Sequence, residues 1–138
     1  MDNFDIFDQI VGIIFAELCD LFPVGAIFEV NQVVHEVSPQ GNFDEYDLKE
    51  MVESTFDFLA REGFMVERGD SRQGFREDVC LTLKGLAAVK KKPSSLGGET
   101  VGSAISSAVK EGAVDKVKSL VSDLISIKTV TVVAESLI

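Results

Sequence analysis

The sequence predicts an α+β fold, mostly α, and three observations carry that prediction. Apolar residues recur at helical spacing over 3–21 and again over 44–62. Two short β-prone segments, 64–68 and 79–83, flank the polar, glycine-containing turn GDSRQGFRED. A third helical stretch, 99–127, follows the break PSSLGG at 93–98 and differs in texture, being rich in Ala, Ser, Val and Gly without an aromatic residue.

In the first helix, Asn3 to Leu21, the residues Ile6, Ile10, Ile13, Ile14 and Leu18 keep the 3.6-residue period. Phe7, Val11 and Phe15 widen the apolar stripe, so this helix is expected to touch more than one neighbour. Pro23 and Gly25 end it. A short helix from Phe28 to Val37 should follow, then a turn at SPQGN, 38–42.

Asp44 is placed to cap the third helix, because a carboxylate there can accept a free N–H of the first turn. Winding that helix at about 100° per residue puts Leu48, Met51, Val52, Thr55, Phe58 and Leu59 on a buried stripe. The opposite arc carries Asp47, Glu50, Glu53 and Asp57, with Lys49, Ser54 and Arg61 beside them. Gly63 sits where helices commonly stop. After the hairpin, Leu83 to Lys91 should form a further short helix, closing a first unit of residues 1–93.

The second unit, 94–138, is expected to be a helical assembly or docking segment. Val117, Leu120, Val121, Leu124 and Ile125 form an apolar seam of the 3-4 kind, suited to another helix of the same chain or of a second copy. Gly112 interrupts the stretch, since glycine costs about 1 kcal/mol relative to alanine in a helix interior. Thr129 to Val133 is β-branched and is expected to be a short terminal strand.

Net charge is −10, unevenly distributed. Residues 1–63 hold 14 acids and two bases, residues 64–93 seven bases and four acids, and residues 94–138 four bases and five acids. General nucleic-acid binders are more often basic overall. The acidic amino-terminal part favours a cationic partner, and residues 64–93 are the only anion-facing region.

Catalytic and metal sites are not expected. Cys19 and Cys80 lie in apolar runs and read as reduced core residues, with a disulfide as the alternative. His35 is the sole histidine, without a second catalytic group placed by motif. No phosphate-binding glycine loop, nucleophile elbow or paired-histidine metal motif occurs, so no cofactor is expected. The start, MDNFDIFDQ, lacks the positive region of a secretory leader, and no apolar run reaches the ~20 residues of a membrane span. A cytoplasmic location follows by elimination.

LAREGFMVER and, after the polar hairpin, VCLTLKGLAAV carry a resemblance. Leu59, Gly63, Phe64, Leu81, Thr82, Lys84 and Gly85 match the helix exit and second-strand exit of winged-helix regulators of the MarR and PadR type. Over residues 5–92 the chain therefore resembles a winged helix-turn-helix. The resemblance implies DNA contacts from the third helix and from the wing, where Arg68, Arg72, Arg76 and Lys84 are the candidate contacts. The third helix departs from that pattern, because its outward acids would repel phosphate. The expected function is a non-catalytic protein-interaction or adaptor module, acting on a protein partner or on a second copy as a homodimer. A DNA-binding transcriptional regulator using the basic wing is the alternative.

Overall fold

Residues 2–37 and 43–126 are described by a computed structural model. The expected turn at 38–42 and terminal strand at 129–133 lie outside the described residues. Six helices and three strands follow in the order α1 (Asn3–Leu21), β1 (Ala26–Glu29), α2 (Val30–Glu36), α3 (Glu45–Arg61), β2 (Met65–Glu67), β3 (Phe75–Leu81), α4 (Leu83–Val89), α5 (Val101–Glu111) and α6 (Val114–Leu124). A 3-10 turn at Ser94–Leu96 links α4 to α5. The described chain is thus mostly helical, with one small antiparallel sheet.

Local chemistry explains the element boundaries. Asp2 and Asp5 form a reciprocal capping box on α1, each carboxylate accepting from the other's backbone N–H. Asp44 caps α3 by accepting from Asp47 N at 2.8 Å. Thr82 caps α4 by accepting from Gly85 N at 3.1 Å, while its hydroxyl donates to the Gly63 carbonyl. Gly63 and Gly112 adopt positive φ, 86° and 69°, and these left-handed residues turn the chain out of α3 and α5.

The sheet has the order β1-β3-β2. β2 pairs with β3 in regular register, Met65 opposite Leu81 and Glu67 opposite Val79. β1 pairs with the other edge of β3, with a bulge between Ala26 and Phe28. Asp78, with φ of 47°, occupies the bulged stretch of β3. β1 corrects the sequence expectation, which began the second helix at Phe28. The segment Ala26–Glu29 alternates buried and exposed positions, and four residues are too few for that period to stand out beside a helix.

One apolar core runs through the described chain, from Ile6 on α1 to Leu124 on α6. α1 lies at its centre and packs against α5, α6, α3 and the sheet. Ile6, Ile10, Val11, Ile14 and Phe15 are fully buried, as its wide stripe requires. The helices after residue 93 therefore share this core. Val101, Ala104, Ile105 and Ala108 of α5 bury beside Val117, Leu120, Val121 and Leu124 of α6. α1 and α6 approach closely at Gly12, where an added methyl would lie 2.3 Å from Val117 Cγ1.

The buried stripe of α3 differs from expectation at Met51, which is only half-buried, and by one exchange. Phe56 is fully buried and meets Phe28 at 5.0 Å between ring centroids, whereas Phe58 is 40% exposed. The sheet covers the Phe56 side of the helix and so claims that flank. Phe58 is left on the opposite margin, edge-on to Phe7 of α1 at 5.7 Å.

Candidate functional site

The helical period sets the outward surface of α3. Tyr46, Glu50, Glu53 and Asp57 follow one another at intervals of four, three and four residues, which aligns them along one line of the helix, with Asp47 alongside. Tyr46, Asp47, Glu50 and Asp57 are exposed and Glu53 is half-buried. Asp57 is engaged by Arg76, whose Nη2 donates to Oδ1 at 2.6 Å. Among the described residues, no cation forms an ion pair with Asp47, Glu50 or Glu53. These three carboxylates share the outward side of α3, with Lys49 next to Glu50 in the sequence.

The hairpin cations are arranged differently. Arg68 Nη2 donates to Asp78 Oδ1 at 2.9 Å, and Arg72 Nε donates to Glu77 Oε1 at 2.9 Å. Arg76 reaches from β3 to Glu67 on β2 and to Asp57 on α3, with its guanidinium 5.2 Å from the centre of the Phe56 ring. Only 11% of its side chain is exposed. The Glu67 and Asp57 carboxylates hold its proton affinity above the ordinary arginine value, against the opposing effect of burial. Lys84 Nζ donates to the Glu62 carbonyl at the end of α3 at 2.7 Å and lies 4.5 Å from the Phe64 ring centre. Each of the four expected anion contacts thus has a partner within the chain.

The expected assembly helix is likewise engaged. Val117, Leu120, Val121 and Leu124 are at most 5% exposed, covered by α1 and α5, and Ile125 is half-buried. Gly112 turns α6 back onto the body, which is why the seam finds its partner in the same chain. Lys91 ties down the far end, donating to the carbonyls of Asp123 and Leu124 at 3.2 Å each.

Two concavities were not legible in the sequence. An apolar groove of about 690 Å³ lies between α1 and α3. Phe4, Phe7 and Asp8 form one wall, Met51, Thr55 and Phe58 the other, and Ile125 closes one part of it. Phe4 is 70% exposed. Burial, followed by the charge of Asp5, raises the Asp8 pKa above its ordinary value. A second cleft of about 570 Å³, between α1, β1, α2 and α5, carries Glu17, Asp20, Glu29 and Glu36 with Lys110. Lys110 Nζ lies 3.7 Å from Asp20. Both depend on contacts between distant segments, and the only sequence signal was the excess width of the α1 stripe.

Cys19 and Cys80 are both free. Cys80 Sγ donates to the Pro23 carbonyl at 3.6 Å, and burial pushes the Cys19 thiol up to about 11. His35 is exposed, 3.7 Å from Glu45. Among the described residues, no three His, Cys, Asp or Glu side chains converge as metal ligands, and no helix is long and apolar enough to cross a membrane. Comparison with protein-family models, curated proteins and solved structures finds no match.

Proposed function

We propose that the chain is a non-catalytic winged-helix interaction module whose α3 surface docks a cationic region of another protein. The order helix, strand, two helices and hairpin supports the winged-helix reading, with α3 preceding the hairpin as the third helix precedes a wing. One contrast carries the functional reading. Arg76 is paired with Glu67 and Asp57, while Asp47, Glu50 and Glu53 have no ion-pair partner among the described residues. An aligned row of carboxylates attracts cationic surfaces and repels phosphate.

The alternative is a DNA-binding regulator acting through its wing. It rests on Arg68 and Arg72, whose side chains keep 47% and 66% exposure despite their ion pairs. Self-association through α6 receives no such support, because four of the five seam residues are already covered within the chain.

Binding of a labelled oligolysine peptide and of a mixed-sequence DNA duplex, each at low and moderate salt, tests the choice. The expected result is peptide affinity that falls with salt and with Glu50→Lys/Glu53→Lys, and no duplex affinity even at low salt. Duplex binding that weakens on Arg72→Ala establishes the alternative.

A further inference from the structure

We propose that the groove between α1 and α3 seats the apolar face of a basic amphipathic helix, while the acids beside the groove pair with that helix's cations. The proposal rests on the acidic-surface reading and specifies the shape of its partner. The groove and the acid row are two sides of the same helix. Met51 and Phe58 line the groove, and the exposed Asp47 and Glu50 follow around the α3 circumference. Asp8 supplies a carboxylate on the α1 wall. Arg61, 5.9 Å from the Phe58 ring centre, is a cation lining the groove, and Lys118 of α6 acts on Asp8.

Charge complementarity selects this occupant. A polar cationic peptide would pair with the acids but leave Phe4 and Phe58 exposed. An apolar acidic segment would fill the groove and meet Asp8, Asp47 and Glu50 as like charges. A helix with an apolar stripe and flanking Lys or Arg satisfies both surfaces, the recognition mode in which one helix face lies in a groove and the other meets a charged rim. Residues 127–138 contain one base and one acid and lack that charge pattern.

The test uses the full chain and two labelled peptides of about 14 residues, or four helical turns. They share one composition of leucine and lysine. One places its leucines on a single helical face, and the other scrambles them. The expected result is at least about tenfold tighter binding of the amphipathic peptide, equivalent to 1.4 kcal/mol. Phe4→Ser/Phe58→Ser should remove that advantage while leaving the scrambled peptide unchanged. Glu50→Lys/Glu53→Lys should weaken both. Circular dichroism melts confirm that the variants remain folded.

Equal affinity of the two peptides for the wild-type chain overturns the groove inference and leaves the acidic-surface reading standing. Failure of both peptides to bind overturns the two together. A solution mass that is dimeric for the wild type and monomeric for Phe4→Ser/Phe58→Ser assigns the groove to a second copy. Nuclear Overhauser contacts between residues 127–138 and the Phe58 ring, without an amphipathic advantage, assign it to the chain's own terminus. Either result overturns the proposal.

Discussion

Arg76 holds Glu67 with two nitrogens, Nε donating to Oε1 at 2.6 Å and Nη2 to Oε2 at 2.9 Å. The same Nη2 reaches Asp57 Oδ1, so one guanidinium ties both strands of the hairpin to α3. That planar fork distinguishes it from any role a lysine could fill.

Arg76→Ala should therefore lower stability by about 2–3 kcal/mol, because it leaves the partly buried Glu67 without its cation. Arg76→Lys should recover less than half, since an ammonium cannot reproduce the two-nitrogen grip. Urea unfolding midpoints of the three proteins check both expectations. A loss below about 0.5 kcal/mol in the alanine variant would mark the pair as a surface contact of little weight.

Asp5 and Asp8, less than one turn apart on α1, should affect the pH dependence in opposite directions. The Lys118 ammonium at 2.8 Å, together with the Asp2 N–H, lowers the Asp5 pKa below its ordinary 3.8. Its contribution is present above 3.8 and is lost as pH falls through the lowered folded value. Burial raises the Asp8 pKa, so between 3.8 and that raised value the folded state holds more protons and stability falls as pH rises. At pH 7, Asp5→Asn should destabilise and Asp8→Asn should stabilise. Both differences should vanish in strong acid, and unfolding midpoints across pH record the two signs.

Gly12→Ala should lower stability by about 1–3 kcal/mol by driving a methyl into Val117 on α6. Val117→Ala alone should also destabilise, since Val117 is a core residue at 5% exposure. The double variant should be more stable than the summed losses imply, because the second change makes room for the first. Simple additivity would place α6 away from α1.

Leu124→Ala should reduce stability by about 2–5 kcal/mol, the range for truncating a fully buried leucine. Its unfolding midpoint should be independent of protein concentration, because the residues covering Leu124 belong to its own chain. Denaturation at two concentrations separated by about a factor of 30 checks this, since a two-chain seam would shift with dilution.

The long periodic elements were readable in the sequence, while their pairwise contacts were not. α1 was visible over its full length because nineteen residues repeat one period many times, and Asp44 showed its cap through residue type. β1 was missed because its four residues merge with the apolar start of α2. The Phe56 and Phe58 exchange depended on which flank of α3 the sheet would cover. The break at Gly112 was apparent, but the return of α6 onto α1 required the fit at Gly12. The acidic surface was legible from spacing alone, whereas the groove beside it needed Phe4, Met51 and Ile125 to meet across the chain.

The pairing of Arg68, Arg72 and Arg76 with their own acids has a kinetic consequence. Matched charges a few ångströms apart cancel at a distance, so the hairpin contributes little long-range potential. The α3 carboxylates without an ion pair among the described residues then contribute most to the field on their side, reaching about one Debye length, roughly 8 Å at physiological ionic strength. If α3 docks a cationic surface as proposed, encounter should be accelerated before contact forms, and added salt should slow association more than it speeds departure.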